Sequence, residues 1–164
     1  EIHSQFGYML GKYPVFGPGA KTVVSFVGTE ISEEMNFWRK PEKQVSTLEI
    51  ISPVTALNLL SKDKRFINVA KLSKDKNFLS NGRFYDDVEL GYYALSPMLS
   101  QKFYVPVYKI RGTFESRINL NFKNIHLSGS NQDTFRYDFE NYVLALHGNA
   151  KGLGLNQFKH NIIW

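Results

Sequence analysis

Four histidines carry the chemistry that binds a transition metal or acts as a general base, and they lie at His3, His126, His147 and His160. A zinc hydrolase presents two histidines four residues apart on one helix face, beside a carboxylate. The four histidines show no such spacing. Cysteine is absent, which excludes thiol nucleophiles, thiolate metal sites and disulfides. We therefore interpret the histidines as surface or core residues and not as ligands or bases.

The stretch YDDVEL contains an acidic group, Asp86, Asp87 and Glu89. Carboxylate oxygens suit calcium or magnesium, but the stretch lacks the spaced ligands and central glycine of a calcium loop. The stretch KGLGLN resembles part of a dinucleotide fingerprint, yet it has no third glycine and follows no βαβ pattern. A G-x-S-x-G nucleophile motif is also absent. The sequence therefore predicts no enzyme, no metal site and no cofactor.

Positive charge is concentrated at residues 62–76, KDKRFINVAKLSKDK, in a chain whose net charge is +5. One interpretation is a solvated loop or helix face. The other is an anion-binding patch in which Lys71, Lys74 and Lys76 bind nucleic acid, lipid headgroups or a wall polymer. The first interpretation is the commoner outcome for such a charge run, and the second stays open.

Length and composition indicate one folded domain over residues 1–164. The chain is 43% apolar and 15% aromatic, which favours a sheet-rich globular protein. It contains no apolar run near the roughly 18 to 20 residues of a membrane span. Because the sequence begins at Glu1 without a methionine, we expect a fragment of an extracellular or membrane-anchored extracytoplasmic protein whose targeting segment has been removed.

Hydrophobic periodicity predicts an α+β protein with a twisted, mainly antiparallel sheet and one helix packed on a face. The helix is expected at 53–62, with Ser52 as the N-cap, Pro53 at the first position and Leu57 and Leu60 on the apolar stripe. Val54 shares that stripe. Residues 1–19 show no period and are interpreted as an ordered lead-in. Strands are expected at 20–28, 33–39, 88–95, 102–114 and 117–122, with a bulge before Ile125.

The segment 133–147 fits either a helix or a strand, and its aromatic and β-branched residues favour a strand. The tail is expected to be a loop whose last three residues, IIW, pack back on the core. In the strand at 102–114 both faces are apolar, so we expect it to be covered on both sides. Pro106 lacks an N–H donor, which predicts that it lies at a sheet edge or at a bulge.

Aromatic side chains alternate with cations in NGRFYDD, QKFYVPVYKIR and FWRK. If they are exposed, such rings stack on bases or sugars beside phosphate-binding cations. In a sheet this aromatic, however, the rings more commonly form the core. The candidate binding residues here are Tyr104, Pro106 and Tyr108.

Three stretches, SPVTALNLL, VELGYYAL and KFYVPVYKIRGT, together resemble the α-β-β unit of PepSY-like domains. The resemblance covers residues 16–114 as a core, and leaves 115–164 as additional strands and a C-terminal tail. Upstream, FGPGAKTVVSFVGTE followed by FWRKPE is similar to the strand pair of secreted tandem versions. Similar strands occur in extracytoplasmic accessory proteins of cell-wall-sensing two-component systems. The resemblance makes Pro106 a family feature, and it implies no catalytic residue.

Two functions are consistent with these patterns. The first is a non-catalytic, extracytoplasmic binding and regulatory module that acts on a protein partner at the cell surface, as a regulator of a peptidase or a sensor. Its working surface would be a sheet edge marked by Pro106, or an aromatic patch from the FYVPVY strand. The second is the anion-binding module that uses the cations of 62–76. The oligomeric state is not predicted.

Overall fold

The computed structural model describes residues 2–44, 47–63, 78–119, 132–147 and 155–164. Seven strands form one mixed sheet in the order β4-β3-β1-β2-β5-β6-β7. The predicted α+β class, with a mainly antiparallel sheet and one helix packed on it, is confirmed. The elements are β1 (Ile2–Leu10), β2 (Tyr13–Phe16), β3 (Lys21–Val27), β4 (Glu30–Asn36), α1 (Pro53–Lys62), β5 (Phe78–Tyr93), β6 (Val105–Asn119), β7 (Gln132–Leu144) and a 3₁₀ helix (Leu155–Phe158).

Helix α1 begins where the sequence predicts it. The Ser52 Oγ accepts a hydrogen bond from the Thr55 amide at 3.1 Å, and proline opens the helix. Leu60 is 0% exposed, and Leu57 packs against the same cluster. Val54, which the stripe also included, is 66% exposed. The helix therefore docks through a face that carries Ala56 and Leu60, and Val54 lies outside the contact.

Strand β6 is covered on both faces, as its apolar pattern predicts. On one face Tyr108 and Ile110 pack with α1. On the other, Val105 and Val107 pack with the C-terminal residues Leu155, Phe158 and Ile162. Of the predicted apolar end, Ile162 and Ile163 are buried, whereas Trp164 is exposed. These two clusters form the main core of the protein.

The N-terminal residues differ from the prediction. The expected lead-in forms β1 and β2, an antiparallel hairpin that turns at Gly11. No period-two pattern is visible in this stretch, because several of its exposed positions carry apolar side chains and so do not alternate with polar ones. The second hairpin, β3 with β4, is confirmed, and it turns at Gly28, whose φ of 63° favours glycine.

The C-terminal strands are longer than their patterns indicate. Strand β6 runs without interruption from within the predicted strand 102–114 into the predicted strand 117–122, whose residues 120–122 lie outside the described residues. Strand β5 begins ten residues before the expected 88, at Phe78. The ambiguous segment forms β7, so the strand interpretation is confirmed. The predicted bulge before Ile125 lies outside the described residues.

A short parallel pair joins the two halves of the sheet. Val15 pairs with Tyr92, and Phe16 pairs with Tyr93. Gly91 allows this approach, because a Cβ there would lie 2.4 Å from the Pro14 carbonyl oxygen. The joint therefore depends on a position where only glycine fits.

Candidate binding surface

The sequence-predicted binding residues do not form one exposed surface. Lys71, Lys74 and Lys76 lie outside the described residues, so the anion-binding hypothesis stays a prediction. Tyr108 is 5% exposed and donates its hydroxyl to the Ile51 carbonyl at 2.9 Å. Tyr104 is half-buried and donates to the Arg39 carbonyl at 2.5 Å. The rings of this strand therefore support the core, and the expected aromatic patch is not at the surface.

Pro106 is the second residue of β6. It pairs with Tyr92 of β5 on one side and faces Ala145, just past the end of β7, on the other, so the prediction that it marks a sheet edge or a bulge is wrong. Its carbonyl accepts the Ala145 amide at 3.0 Å. The reciprocal bond to the Ala145 carbonyl is the one that proline removes. That carbonyl accepts the Ile51 amide instead, at 2.9 Å. A donor from the segment before α1 thus replaces the missing proline N–H.

An exposed surface occurs at the other end of the sheet, in β1, β3 and β4, which we call the wing. All seven residues of β4 are exposed, and so are six of the nine residues of β1. None of the three buried clusters of the described chain contains a residue of β3 or β4. The wing is therefore a sheet extension with two exposed faces.

Both faces of the wing carry apolar side chains. On one face Ile2, Phe26 and Ile31 form a cross-strand row. Ile31 is 62% exposed, and Phe6 on the same face is 53% exposed. The opposite face carries three exposed apolar side chains, those of Met9, Val27 and Met35. Contiguous exposed apolar side chains are a feature of protein interaction sites.

The two edges of the sheet differ. At the β7 end, Ile163 and the segment 49–51 hydrogen-bond to residues 142–147. At the other end, β4 pairs with β3 alone among the described residues, so its outer edge offers backbone donors and acceptors. Three glutamates, Glu30, Glu33 and Glu34, lie along this strand in a chain of net positive charge. The open edge is therefore locally acidic.

Polar contacts hold the wing in shape. Ser25 is the one buried polar residue of the described chain, and its hydroxyl forms a hydrogen bond with His3 Nδ1 at 2.9 Å. The Ser32 hydroxyl donates a hydrogen bond to the Ser25 carbonyl at 3.1 Å. The Tyr8 hydroxyl contacts Thr22 and donates to Asn36 Oδ1 at 2.7 Å. These bonds cross all three strands, so the exposed faces are carried by an ordered sheet.

A groove of about 550 Å³ lies where the wing meets the rest of the sheet, and its lining includes Phe6, Phe16, Lys21, Glu140 and Tyr142. Burial raises the pKa of Tyr142 far above its usual value, and the hydrogen bond that its hydroxyl donates to Glu140 raises it further. The hydroxyl therefore stays protonated at physiological pH. The groove therefore presents a protonated hydroxyl that is bonded to the Glu140 side chain.

The acidic group of YDDVEL is engaged in cross-strand pairs between β5 and β6. Asp87 Oδ2 lies 2.5 Å from Arg111 Nη2, and Glu89 Oε2 lies 2.7 Å from Lys109 Nζ. The Arg111 hydrogen bond lowers the pKa of the Asp87 carboxyl, in spite of partial desolvation. Within the described part of the chain, no three His, Cys, Asp or Glu residues are grouped to hold a metal ion. His126 lies outside it.

Sequence reasoning missed the wing as a surface. The available signal was the stretch TEISEEMN, in which two apolar residues, Ile31 and Met35, lie among three glutamates, a composition that favours an exposed strand. The strand pair that contains this stretch was assigned to the predicted core 16–114, and its exposure was therefore not predicted. The prediction for Pro106 placed a sheet edge in β6, which is an interior strand, whereas the open edge is that of β4.

Comparison of the chain with protein-family models, with curated proteins and with solved structures found no match. The resemblance to PepSY-like domains therefore depends on the sequence motifs alone. Among the described residues, no helix has the length and apolar content needed to cross a membrane.

Proposed function

We propose that this protein is a non-catalytic binding and regulatory module that acts on a protein partner outside the cytoplasm, and that the partner adds an extended segment to the open edge of β4. The observation that carries the proposal is the wing itself. Its β4 edge is unpaired among the described residues, and apolar side chains lie exposed on both of its faces. The motif resemblance to PepSY-like domains supports the regulatory and extracytoplasmic part of the proposal.

Strand addition is the recognition mode that fits this edge. An added strand gains main-chain hydrogen bonds along β4, and its alternate side chains then lie over the two apolar faces. The glutamates of β4 favour lysine or arginine in the added strand. Two β4 edges pairing with each other would instead oppose like charges, which disfavours self-association through this edge.

A pair of synthetic peptides tests the proposal. One alternates lysine with valine, and the other alternates glutamate with valine. Calorimetry should show saturable binding of the lysine peptide alone, and hydrogen exchange should show new protection of β4 amides. In E33K/E34K the preference should reverse. The matched control is Glu42→Lys, an exposed carboxylate outside the wing, which should leave the preference unchanged.

Two results would contradict the proposal. If neither peptide protects β4 amides, the edge is not a strand acceptor. If the lysine peptide binds equally to the wild type and to E33K/E34K, its contact lies elsewhere on the protein.

A further inference from the structure

The loop 94–104, which joins β5 to β6, is fixed by two side chains. Gln101 accepts the Leu95 amide at 2.8 Å and donates to the carbonyls of Tyr93 and Phe103 at 2.9 and 2.7 Å. The Arg39 guanidinium, from the segment after β4, donates to the carbonyls of Ser96 and Leu99 at 2.9 and 2.5 Å. The loop is therefore a braced structure whose tip has a defined position.

This braced loop holds two apolar side chains away from the protein. Met98 is 93% exposed and Leu99 is 50% exposed, while the adjacent Leu95 is buried. A single exposed apolar residue is ordinary. Here, however, the carbonyl of Leu99 is bound by Arg39, so the backbone that carries the side chains is fixed while the side chains contact little of the described protein. We call residues 97–100 the tip.

Cations flank the tip in the chain, and one of them contacts it. Arg39 contacts it directly, Lys40 follows Arg39 in the chain, and Lys102 follows the tip by two residues. The side chains of Lys40 and Lys102 are exposed. The segment 37–43 adds Lys43 and one carboxylate, Glu42, so cations predominate over anions on both segments that build this corner.

We propose that the tip inserts into the interfacial region of an anionic phospholipid membrane. In this arrangement Met98 and Leu99 lie below the headgroups, and the ammonium groups of Lys40 and Lys102 lie at the level of the lipid phosphates. An apolar protrusion with a basic rim has the two features that bind proteins to a membrane surface: buried apolar area, and attraction to anionic lipids. The net charge of +5 acts in the same direction.

The shape of the tip favours a lipid surface over a protein. A stable protein interface buries about 800 Å² on each partner and requires complementary shape. Two side chains at the end of a narrow loop offer far less area. A bilayer interface, by contrast, accommodates any small protrusion, because lipids rearrange around it and phosphates meet the cations without fixed geometry.

Flotation with vesicles tests this inference. Vesicles of equal parts phosphatidylglycerol and phosphatidylcholine should bind the protein, and vesicles of phosphatidylcholine alone should bind it at least about tenfold more weakly. M98S/L99S should lower the affinity for the anionic vesicles by about tenfold or more. K40Q/K102Q should lower it as well, and should flatten its dependence on salt. Val54→Ser and Lys12→Gln, at exposed sites elsewhere, are the matched controls and should bind as the wild type does.

A direct reporter of insertion is Leu99→Trp. Its fluorescence should shift to the blue with anionic vesicles and should be quenched by brominated acyl chains. Binding that is unaffected by M98S/L99S would overturn the inference, and so would absence of binding to the anionic vesicles at low salt. Self-association in solution that M98S/L99S abolishes would assign the tip to a protein contact and would also overturn it. None of these results bears on the β4 edge, whose peptide test is separate.

Discussion

The two ends of one continuous sheet are built differently. Strand β6 has residues at 0% exposure directed to both faces, Val107 against the C-terminal segment and Ile110 against α1. Strand β4, five positions away in the sheet order, is exposed at every residue. We refer to β5, β6 and β7 with their coverings as the covered half. The difference separates a part whose residues are buried under other elements from a part whose residues are exposed to solvent.

Apolar residues alone do not distinguish the two regions, since both contain them. What differs is whether another element of the chain lies over them. Helix α1 and residues 155–163 lie over the covered half, whereas among the described residues no helix lies over the wing, and its β1 residue Tyr8 is stacked by the Trp38 ring. A sheet face that a folded protein leaves open in this way is available for binding.

The largest effect in this comparison is expected for Leu60→Ala in α1. Leu60 is fully buried between the helix and the sheet, so truncation leaves a cavity and should lower the free energy of unfolding by about 2 to 5 kcal/mol. Urea denaturation measures it. Val54→Ala on the same helix, at an exposed site, should change stability by less than about 0.5 kcal/mol. Similar losses for the two variants would mean that α1 does not dock through Leu60.

The next-largest effect is expected for a variant that tests whether the parallel pair of β2 and β5 couples the wing to the covered half. Gly91→Ala places a Cβ 2.4 Å from the Pro14 carbonyl and 2.5 Å from the Phe16 ring, so β2 must move away from β5. We expect a loss of about 1 to 3 kcal/mol, as for other overpacked sites. Hydrogen exchange should show that wing amides lose protection while β6 amides keep it.

Gly7→Ala is the matched control for this variant, because a Cβ at Gly7 meets nothing within 4 Å. It should leave both the stability and the exchange pattern close to those of the wild type. Equal loss of protection in both halves of the Gly91 variant would show that the sheet unfolds as one unit, and that the joint is not a boundary.

The sequence predicts the covered half better than the wing, for a physical reason. Ser52 and Pro53 start α1 by local hydrogen bonding and a fixed φ, and these effects need no knowledge of the rest of the fold. The two-sided apolar pattern of β6 likewise requires cover on both faces. The wing lacks such a requirement, because an apolar side chain such as Phe6 gives the same sequence pattern whether it is buried or exposed.

Pro106 shows why the site was harder to predict than the fold. The missing N–H was recognised correctly, but its local consequence depended on Ile51, a residue 55 positions earlier in the chain that supplies the replacement donor. The brace of the 94–104 loop by Arg39 is equally nonlocal. Sequence spacing carries no information on either contact, so residues that depend on them could not be assigned from the pattern.

A smaller effect concerns the surface of the covered half. The pKa of Asp87 is lowered below 3.8 by its hydrogen bond with Arg111, so the pair stabilises the folded state above the ordinary pKa of the carboxyl. This contribution is lost as the pH falls through the lowered pKa. Asp87→Asn should therefore be less stable than the wild type at neutral pH, and the difference should disappear in strong acid. Urea melts over a pH series measure it, and a difference that grows toward low pH would contradict the pairing.

The smallest effect is expected in the wing, where Ile31→Thr keeps the β-branched shape and replaces the ethyl arm with a hydroxyl. Ile31 is mostly exposed and pairs across the strands with Phe26, so the free energy of unfolding should change by no more than about 0.5 kcal/mol. The matched variant Ile110→Thr buries an added hydroxyl in the core and should cost several times more. Thermal melts of the two variants therefore measure the contrast between the regions directly. If Ile31→Thr destabilises the protein as much as Ile110→Thr does, the wing face is covered in the intact protein, and the surface proposed for a partner is part of the core.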